Sequence, residues 1–277
     1  MHRPTRVTAL VPAYQAGEFI QATLDSLSAQ THDDFDVIVS VDRCEDATEA
    51  ICRRHAARDS RFHVVQQQER LGYVGNCNFL LGQAQAELVL FAFHDDVLLP
   101  GYLQRLCDVL DARPEVVLSY SDLLLTAVDG TQEHCSYDEL AGQSGRVERG
   151  LKMLRRSGKW WVPNRGVFRL QRARRIQCLK TNGAGEFSAD WPWLFHMSLL
   201  GEFARVPEVL CHKFYKPGSL SRSWAFSKRQ HFEASAACMR ELWTADLTTD
   251  EKLRMAIPLT SWLIKAKAQL DALPPDP

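Results

Sequence analysis

The stretch Leu88-Val89-Leu90-Phe91-Ala92-Phe93-His94-Asp95-Asp96 runs from a continuous apolar segment directly into two adjacent carboxylates. An uninterrupted apolar run of this kind is typical of a β-strand that is covered on both faces. In an open parallel sheet, ligands bind beyond the carboxyl ends of the strands, which is where Asp95 and Asp96 fall. The stretch therefore predicts a buried strand that ends at a ligand site.

Strand and helix patterns alternate over the first 120 residues of the chain. Apolar residues at helical spacing lie between short runs of β-branched and aromatic residues. The last of these helices ends at Arg113, because the proline after it disfavours a helical residue at that position. This alternation predicts an α/β fold whose mainly parallel sheet has right-handed crossovers. The predicted strands are Val7–Val11, Phe35–Val41, Phe62–Gln66, Leu88–Phe93 and Val116–Tyr120, and the predicted helices cover residues 19–27, 47–58, 76–85 and 102–112.

The pattern after Tyr120 is looser and predicts shorter elements. Residues 128–131 (VDGT) are typical of a hairpin turn, and the polar, Gly-rich residues 133–150 predict a mobile loop. A helix predicted over Ala189–Leu200 ends at Gly201, a residue type common just after a helix. The other predictions are strands over Gly166–Leu170, Phe203–Val206 and Val209–Tyr215, helices over 227–244 and 249–271, and a tail over Pro274–Pro277.

The composition excludes several classes of protein. The chain has 277 residues, 45% of them hydrophobic and 24% charged, which is ordinary globular composition and excludes disordered and fibrous classes. Lys+Arg 33 against Asp+Glu 34 leaves a formal net charge of −1, so no nucleic acid partner is expected. The 8 cysteines include no CxxC pair, which predicts reduced thiols rather than zinc or redox sites. The sequence has neither a signal peptide's apolar region nor a span of about 18 apolar residues, which predicts a cytoplasmic protein.

The ends of the first four predicted strands bring polar residues to one edge of the sheet. Adjacent carboxylates such as Asp95 and Asp96 repel unless a cation or a set of donors holds them. Mg²⁺ or Mn²⁺ suits one or two carboxylates plus substrate phosphates, but a helix cap before Pro100 or a solvated turn explains the pair equally well. Neither GxGxxG nor GxxxxGK[ST] occurs in the sequence, so a metal rather than a glycine-rich loop is expected to neutralise bound phosphates.

A series of loose motifs follows in a specific order between about residues 6 and 222. They are Val7–Tyr14 (VTALVPAY), Leu24–Thr31 (LDSLSAQT), Asp42–Thr48 (DRCEDAT), Leu71-Gly72 with Asn78, His94–Asp96 (HDD) with Pro100, Ala189–Leu194 (ADWPWL), Gly201 with Val206–Leu210 (VPEVL), and Pro217–Ser221 (PGSLS). In this order and spacing they resemble glycosyltransferase family 2. The resemblance implies the GT-A fold, an α/β, Rossmann-type, mainly parallel sheet flanked by helices, here with a C-terminal helical extension. It also implies an inverting transfer of a sugar from a nucleotide diphosphate-sugar, with UDP as the expected nucleotide.

The resemblance implies a role for each matching residue at the donor site. Pro12, Ala13 and Tyr14 would line the base pocket, and Asp42 would accept a hydrogen bond from the ring N–H of the base. Asn78 and Lys216 would belong to the same nucleotide site. The remaining two residues, Asp95 and Asp96, would face the ribose and the diphosphate and hold Mg²⁺ or Mn²⁺.

The resemblance also implies a general base near the cleft. Asp190, at the start of the predicted helix, would take the proton of the acceptor hydroxyl, a role worth about 10²–10⁴-fold in rate. Glu186, four residues earlier, is the rival candidate, and a carboxylate that only stabilises the helix N-terminus is the bland alternative for Asp190.

Three positions depart from the family pattern and put metal dependence in doubt. Phe93 replaces the first carboxylate of the DxDD motif, and Cys77 replaces an arginine before Asn78. Lys216 replaces a histidine before the PGS motif, where an ammonium would pair with a phosphate directly. These departures motivate a second hypothesis, a catalytically silent nucleotide- or carbohydrate-binding module with the same fold. A nucleotidyltransferase and a dehydrogenase are disfavoured, since their glycine-rich motifs are missing.

The resemblance divides the chain into a nucleotide-sugar-binding half over residues 1–120, an acceptor-binding and catalytic half over 121–222, and the helical extension over 223–277. The acceptor is expected to be a saccharide or lipid-linked saccharide of cell-surface polysaccharide synthesis, with peripheral attachment at the inner face of the membrane. Trp160 and Trp191 are candidate faces for its sugar rings, and Arg155-Arg156 or Arg172–Arg175 are candidates to contact anionic groups. The basic run Arg169–Arg175 predicts a solvated face, or a contact with anionic lipid.

Overall fold

The computed structural model describes residues 5–216 and 219–271, and the strands in these ranges form one sheet flanked by helices. The strands are β1 (Val7–Ala13), β2 (Phe35–Val41), β3 (Phe62–Gln66), β4 (Leu88–Phe91), β5 (Asp96–Leu98), β6 (Val116–Thr126), β7 (Gln132–Cys135), β8 (Val167–Arg169) and β9 (Glu202–Phe214). The helices are α1 (Ile20–Ser28), α2 (Thr48–Ala56), α3 (Gly72–Gln83), α4 (Tyr102–Ala112), α5 (Arg146–Arg155), α6 (Leu170–Ala173), α7 (Asp190–Leu200), α8 (Leu220–Ser223), α9 (Lys228–Thr244) and α10 (Thr249–Asp271).

The sheet is mainly parallel, as predicted. Its strand order is β3-β2-β1-β4-β8-β6-β9-β5, with β7 paired to β6. Strands β1 to β4, β6 and β9 run in one direction, whereas β5, β7 and β8 run in the other. The expected division at residue 120 falls inside β6, so the two halves of the body share one sheet.

The register of the first strands fixes the position of the residues that follow them. Every residue of β1 is buried, as its apolar sequence predicts, and β1 lies parallel to β2 with Ala13 opposite Val41. Tyr14 and Asp42 therefore leave the sheet side by side, and the Asp42 amide donates to the Ala13 carbonyl oxygen at 2.8 Å. Strand β4 pairs with the other side of β1, which brings the residues after Phe91 to the same edge.

Two predictions about the second half of the chain were wrong. The loop predicted over residues 133–150 contains the end of a hairpin, β7, and the start of α5. The many polar residues of this segment led to the prediction of a loop. Val147, Gly150 and Met153 nevertheless lie at helical spacing and are buried. The two short strands predicted after Gly201 are one strand, β9. It tolerates Pro207 because the register with β6 shifts there, which leaves the proline outside the ladder.

The C-terminal extension is helical, as predicted, and is tied to the body by buried charges. A capping box starts α9, in which the Ser227 hydroxyl accepts from the Gln230 amide at 3.2 Å. Glu241 on α9 is buried and accepts from His196 Nδ1 on α7 at 2.7 Å and from Lys180 Nζ at 2.7 Å. Helix α10 packs on α9 and α5.

Three remaining observations complete the fold. All eight cysteines are free thiols, in agreement with the sequence. Among the described helices, none combines the length and apolarity needed to cross a membrane. The predicted tail over Pro274–Pro277 lies outside the described residues, as do Pro217 and Gly218 of the PGS motif.

Candidate active site

A cavity of about 810 Å³ lies at the carboxyl ends of β1, β2 and β4. Its volume is in the range of ~300–1,000 Å³ that is typical of ligand pockets, and its place follows the rule for open α/β sheets. The structure thus brings together most of the residues that the sequence pointed to. Those that line the cavity are Pro12, Ala13, Tyr14, Asp42, Asp95, Asp190 and Lys216.

Asp42 organises one corner of the cavity together with Arg70. Its carboxylate is buried and accepts from the backbone amides of Leu71 at 2.8 Å and Gly72 at 2.9 Å. Arg70 Nε forms an ion pair with Asp42 Oδ2 at 2.8 Å, and the guanidinium carbon lies 3.1 Å from the ring centroid of Tyr14. Asp42 therefore already holds the turn into α3, so an N–H of a base can bind it only if Arg70 moves.

Arg70 was not identified from the sequence, although it directly precedes the Leu71-Gly72 motif. Its side chain is 47% exposed and lies where the resemblance places a base, against Tyr14. A stacked guanidinium and a base present similar flat faces to an aromatic ring. The corner is thus built to hold a flat, hydrogen-bonding group.

The two adjacent carboxylates at the end of β4 have different environments. Asp95 lines the cavity, whereas Asp96 is buried and accepts from Arg165 Nε at 2.7 Å, with Lys213 Nζ 3.8 Å away. Asp96 Oδ1 has no hydrogen-bond donor among the described residues. The sequence predicted that both carboxylates face a metal, whereas in the structure Asp96 pairs with two cations of the protein.

The charge around Asp95 favours its ionised form. Burial raises the pKa of this carboxyl, but the nearby charges of Lys213, His94 and Arg165 outweigh burial and hold the pKa below its usual range. His94 is fixed by donating from Nδ1 to the Pro12 carbonyl oxygen at 2.7 Å. The site therefore presents one ionised carboxylate beside several cations.

These side chains fit a metal that is held by Asp95 and substrate phosphates, but not a metal that is held by both Asp95 and Asp96. A divalent cation held by Asp95 and by substrate phosphates agrees with the way Mg²⁺ is usually bound. A site made by Asp95 and Asp96 together does not fit, because Asp96 is committed to Arg165. The described part of the chain also has no group of three or more His, Cys, Asp or Glu side chains placed to hold a metal.

Asp190 lies at the first position of α7 and faces the same cavity. Burial raises the pKa of its carboxyl, while the charges of Arg156 and Arg165 act in the opposite direction. Asn164 Nδ2 donates to Asp190 Oδ2 at 3.2 Å and orients the group. A carboxylate with a raised pKa inside a cavity is typical of a general base.

Two other predicted site residues have structural roles. Glu186, the rival base, accepts from the backbone amide of Val74 at 2.8 Å, which satisfies one of the free amides at the start of α3. Asn78 bonds the backbone of Leu179 twice, donating to the carbonyl oxygen at 2.9 Å and accepting from the amide at 2.8 Å. Neither residue lines the cavity, although the sequence predicted Asn78 as a nucleotide contact.

A half-buried arginine, Arg156, forms another wall of the cavity. The Arg156 guanidinium carbon lies 4.9 Å from the ring centroid of Trp160 and 4.8 Å from that of Trp191. It donates to Ser188 Oγ at 2.7 Å and to His231 Nδ1 at 2.7 Å. The two tryptophans were expected from the sequence, and so was Arg156 as a contact for anionic groups. Its left-handed backbone (φ 53°), which ends α5, has no local sequence signal.

The basic run Arg169–Arg175 is mostly used within the fold. Arg169 donates to the Val116 carbonyl oxygen at 2.9 Å, and Arg174 donates to that of Ala84 at 2.9 Å. Arg175 pairs with Asp246 at 2.9 Å. The run therefore holds elements together rather than forming a free cationic face.

Comparison with known proteins relates the first half of the chain to glycosyltransferases. Residues 8–123 match the model of Glycosyl transferase family 2. The teichuronic acid biosynthesis glycosyltransferase TuaG of Bacillus subtilis is 30% identical over 125 residues, which cover 45% of this chain and 49% of the relative. The glycosyltransferase EpsH of the same organism is 30% identical over 142 residues, or 46% of this chain and 41% of the relative. These matches span less than half the length of either relative.

Solved structures share the fold over nearly the whole chain. Staphylococcus aureus TarS in complex with UDP-GlcNAc superposes with a TM-score of 0.72 and 17% identity over 94% of this chain and 72% of that one. The mannosyltransferase PcManGT of Pyrobaculum calidifontis, in complex with GDP-Man and Mn²⁺, has a TM-score of 0.59 and 16% identity over 98% of this chain and 75% of that one. Residues 8–123 are therefore similar to glycosyltransferase family 2, and the chain has the GT-A fold of these solved structures.

Proposed function

We propose that this protein transfers a sugar from a nucleotide diphosphate-sugar, with UDP as the nucleotide, to a saccharide or lipid-linked saccharide, with inversion at the anomeric carbon. The single observation that carries the proposal is the shared cavity, which has Tyr14 and Asp42 at one corner, Asp95 beside cations, and Asp190 at a helix start. A nucleotide-sugar needs these features: a flat pocket for a base, charge for a diphosphate, and a base for an acceptor hydroxyl.

The donor is proposed to bind with its base against Tyr14, after Arg70 moves from the ring and exposes an oxygen of Asp42. The diphosphate then lies near Lys213 and Lys216, whose ammonium groups act as point charges on phosphate oxygens. Asp95 would hold Mg²⁺ or Mn²⁺ against the donor phosphates, and the ion would supply further positive charge for the leaving diphosphate.

Asp190 is proposed to act as the general base. Its carboxylate takes the proton of the acceptor hydroxyl while that oxygen attacks the anomeric carbon from the face opposite the diphosphate. The bond from the anomeric carbon to the phosphate oxygen breaks, and the nucleoside diphosphate leaves with the electron pair. One such displacement inverts the configuration. The charges of Arg156 and Arg165 act against the rise in the pKa of Asp190 that burial causes.

The acceptor is proposed to enter beside Trp160 and Trp161, which line the cavity on the side of Arg156. Relatives support an acceptor from cell-surface polysaccharide synthesis. TuaG is named for teichuronic acid biosynthesis, and a Campylobacter jejuni relative, 30% identical over 102 residues, is named a GalNAc(5)-diNAcBac-PP-undecaprenol beta-1,3-glucosyltransferase. A cytoplasmic place with peripheral attachment to the inner face of a membrane is part of this proposal.

The experiment that tests the proposal is a panel of UDP-sugars offered with saccharide acceptors, with and without Mn²⁺. We expect calorimetric binding of one UDP-sugar and a product whose anomeric configuration, measured by NMR, is opposite to that of the donor. Binding without transfer or donor hydrolysis would instead favour the silent module, which the replacement of a carboxylate by Phe93 motivates. A product with retained configuration would exclude the single displacement.

A further inference from the structure

A second cavity, of about 670 Å³, lies among α5, α7, α9 and α10. Its walls are mainly apolar and include Leu151, Leu154, Leu259 and Trp262. Its volume is again typical of a site for a small ligand. The proposed mechanism places neither the donor nor the reacting hydroxyl in this space.

The second cavity shares a wall with the proposed active site. Arg156 and His231 line both cavities. Trp191 lines the second cavity and is held by donating from Nε1 to the Met153 carbonyl oxygen at 3.0 Å. Because Asp190 directly precedes Trp191, a ligand whose head reaches this wall lies close to the proposed general base.

The polar lining of the second cavity favours an anion. Arg155 and Lys228 line it and have no ion-pair partner among residues 5–216 and 219–271. Arg156, between the cavities, donates hydrogen bonds to Ser188 and His231, and among the described residues it forms no ion pair within 4.0 Å, although its charge also acts on Asp190. Guanidinium and ammonium groups without carboxylate partners are typical of phosphate sites.

The helix that closes this cavity also exposes apolar side chains to solvent. Trp262 is 43% exposed, and Ile257 and Ile264 of the same helix are 67% and 66% exposed. Exposed apolar residues beside cations are typical of surfaces that meet an amphiphile or a lipid surface.

From this arrangement we propose that the second cavity binds the lipid phosphate of the acceptor: an isoprenoid chain lies between α5 and α10, and its phosphate meets Arg155, Arg156 and Lys228. The inference rests on the proposed function, because it names the acceptor class of that site as a saccharide linked through a phosphate to a lipid. The saccharide then extends past Arg156 to Asp190.

The test measures binding separately from transfer. Farnesyl diphosphate is titrated calorimetrically into the protein with UDP present to fill the donor site, and inorganic diphosphate and farnesol are titrated as separate arms. We expect farnesyl diphosphate to bind at least tenfold more tightly than either arm. Equal binding of inorganic diphosphate would overturn the lipid site in favour of a simple anion site, and equal binding of farnesol would remove the role of the cations.

Two variants and one matched control locate the site. Trp262→Glu and Lys228→Glu, both at exposed positions, should each weaken farnesyl diphosphate binding at least tenfold. Ile264→Glu places the same charge on the same helix but outside the cavity and should change binding less than twofold. An equal loss in Ile264→Glu would overturn the cavity and assign binding to the outer face of α10. Circular dichroism confirms that each variant is folded.

The outcomes for the two proposals are distinguishable. Transfer to soluble saccharides without farnesyl diphosphate binding would overturn the lipid site and leave the proposed function standing. Farnesyl diphosphate binding with no transfer from any nucleotide-sugar would overturn the proposed function, while the lipid-phosphate site would stand.

Discussion

Replacing Asp96 by asparagine tests whether this carboxylate has a structural role or binds a metal. Asp96 is buried and accepts from Arg165 at 2.7 Å, and both side chains are almost inaccessible, at 2% and 11% exposure. Breaking a buried pair by removing one partner costs about 3–5 kcal/mol, because it leaves an uncompensated charge. We expect a value near 3 kcal/mol for Asp96→Asn, since the amide oxygen still accepts from Arg165 and Asp95 remains nearby.

The neighbouring residue provides a matched control. Asp95 makes no ion pair within 4.0 Å in the described residues, so Asp95→Asn should cost about 1 kcal/mol or less. At ~2–4 °C per kcal/mol for a domain of this size, the loss near 3 kcal/mol lowers the unfolding midpoint of Asp96→Asn by roughly 6–12 °C. Asp95→Asn should instead weaken Mn²⁺-dependent nucleotide binding.

The assay is thermal unfolding of both variants beside calorimetric titration of UDP with and without Mn²⁺. The reasoning is refuted if Asp96→Asn unfolds like the wild type and loses Mn²⁺-dependent binding while Asp95→Asn retains it. That pattern would make Asp96 the metal ligand after all.

Three further predictions concern the active-site turn, the pH dependence of stability and the pH dependence of transfer. Gly72 has φ +73°, and an added Cβ would lie 2.7 Å from Glu186 Oε1. Gly72→Ala should therefore lower the free energy of unfolding by more than about 1 kcal/mol, measured by urea unfolding. Unchanged urea unfolding would show that alanine fits this turn without strain. Arg61 holds the pKa of the Asp59 carboxyl at about 2, so this carboxylate stabilises the fold above pH ~4 and the effect is lost toward pH 2. Urea unfolding of Asp59→Asn should therefore differ from the wild type at pH 7 and match it near pH 2, and a constant difference would exclude the linkage. Burial raises the pKa of Asp190, so the acid limb of kcat/KM against pH should lie above pH ~4. This limb should disappear in Asp190→Asn. An unchanged limb in that variant would assign the titration to another group.

The parallel strands and their ligand edge follow from local sequence. Apolar runs such as Val7–Ala13 are recognisable because a strand covered on both faces has no polar side, and the chain direction then places Tyr14, Asp42 and Asp95 at one edge. Asp190 follows instead from the family resemblance, through the match of residues 189–194 (ADWPWL).

The sequence could not show which distant residues contact the side chains of the site. Asp95 and Asp96 are adjacent residues of the same type. Their sequence does not show that Asp96 pairs with Arg165, 69 positions further along the chain, or lies 3.8 Å from Lys213. Asn78 matches a motif, yet its side chain donates a hydrogen bond to the carbonyl oxygen of Leu179, 101 positions away. Arg156 has no motif at all and becomes a wall of two cavities only when α5, α7 and α9 pack together.

The most direct test of the central claim is single-turnover transfer by Asp190→Asn, with the donor dissociation constant measured in parallel and Glu186→Gln as control. Asp190→Asn should slow transfer by about 10²–10⁴-fold while donor affinity stays within about twofold of the wild type. Glu186→Gln keeps an oxygen for the Val74 amide and should transfer at close to the wild-type rate. Wild-type transfer in Asp190→Asn, or loss of transfer only in Glu186→Gln, would contradict the assignment of Asp190 as the general base.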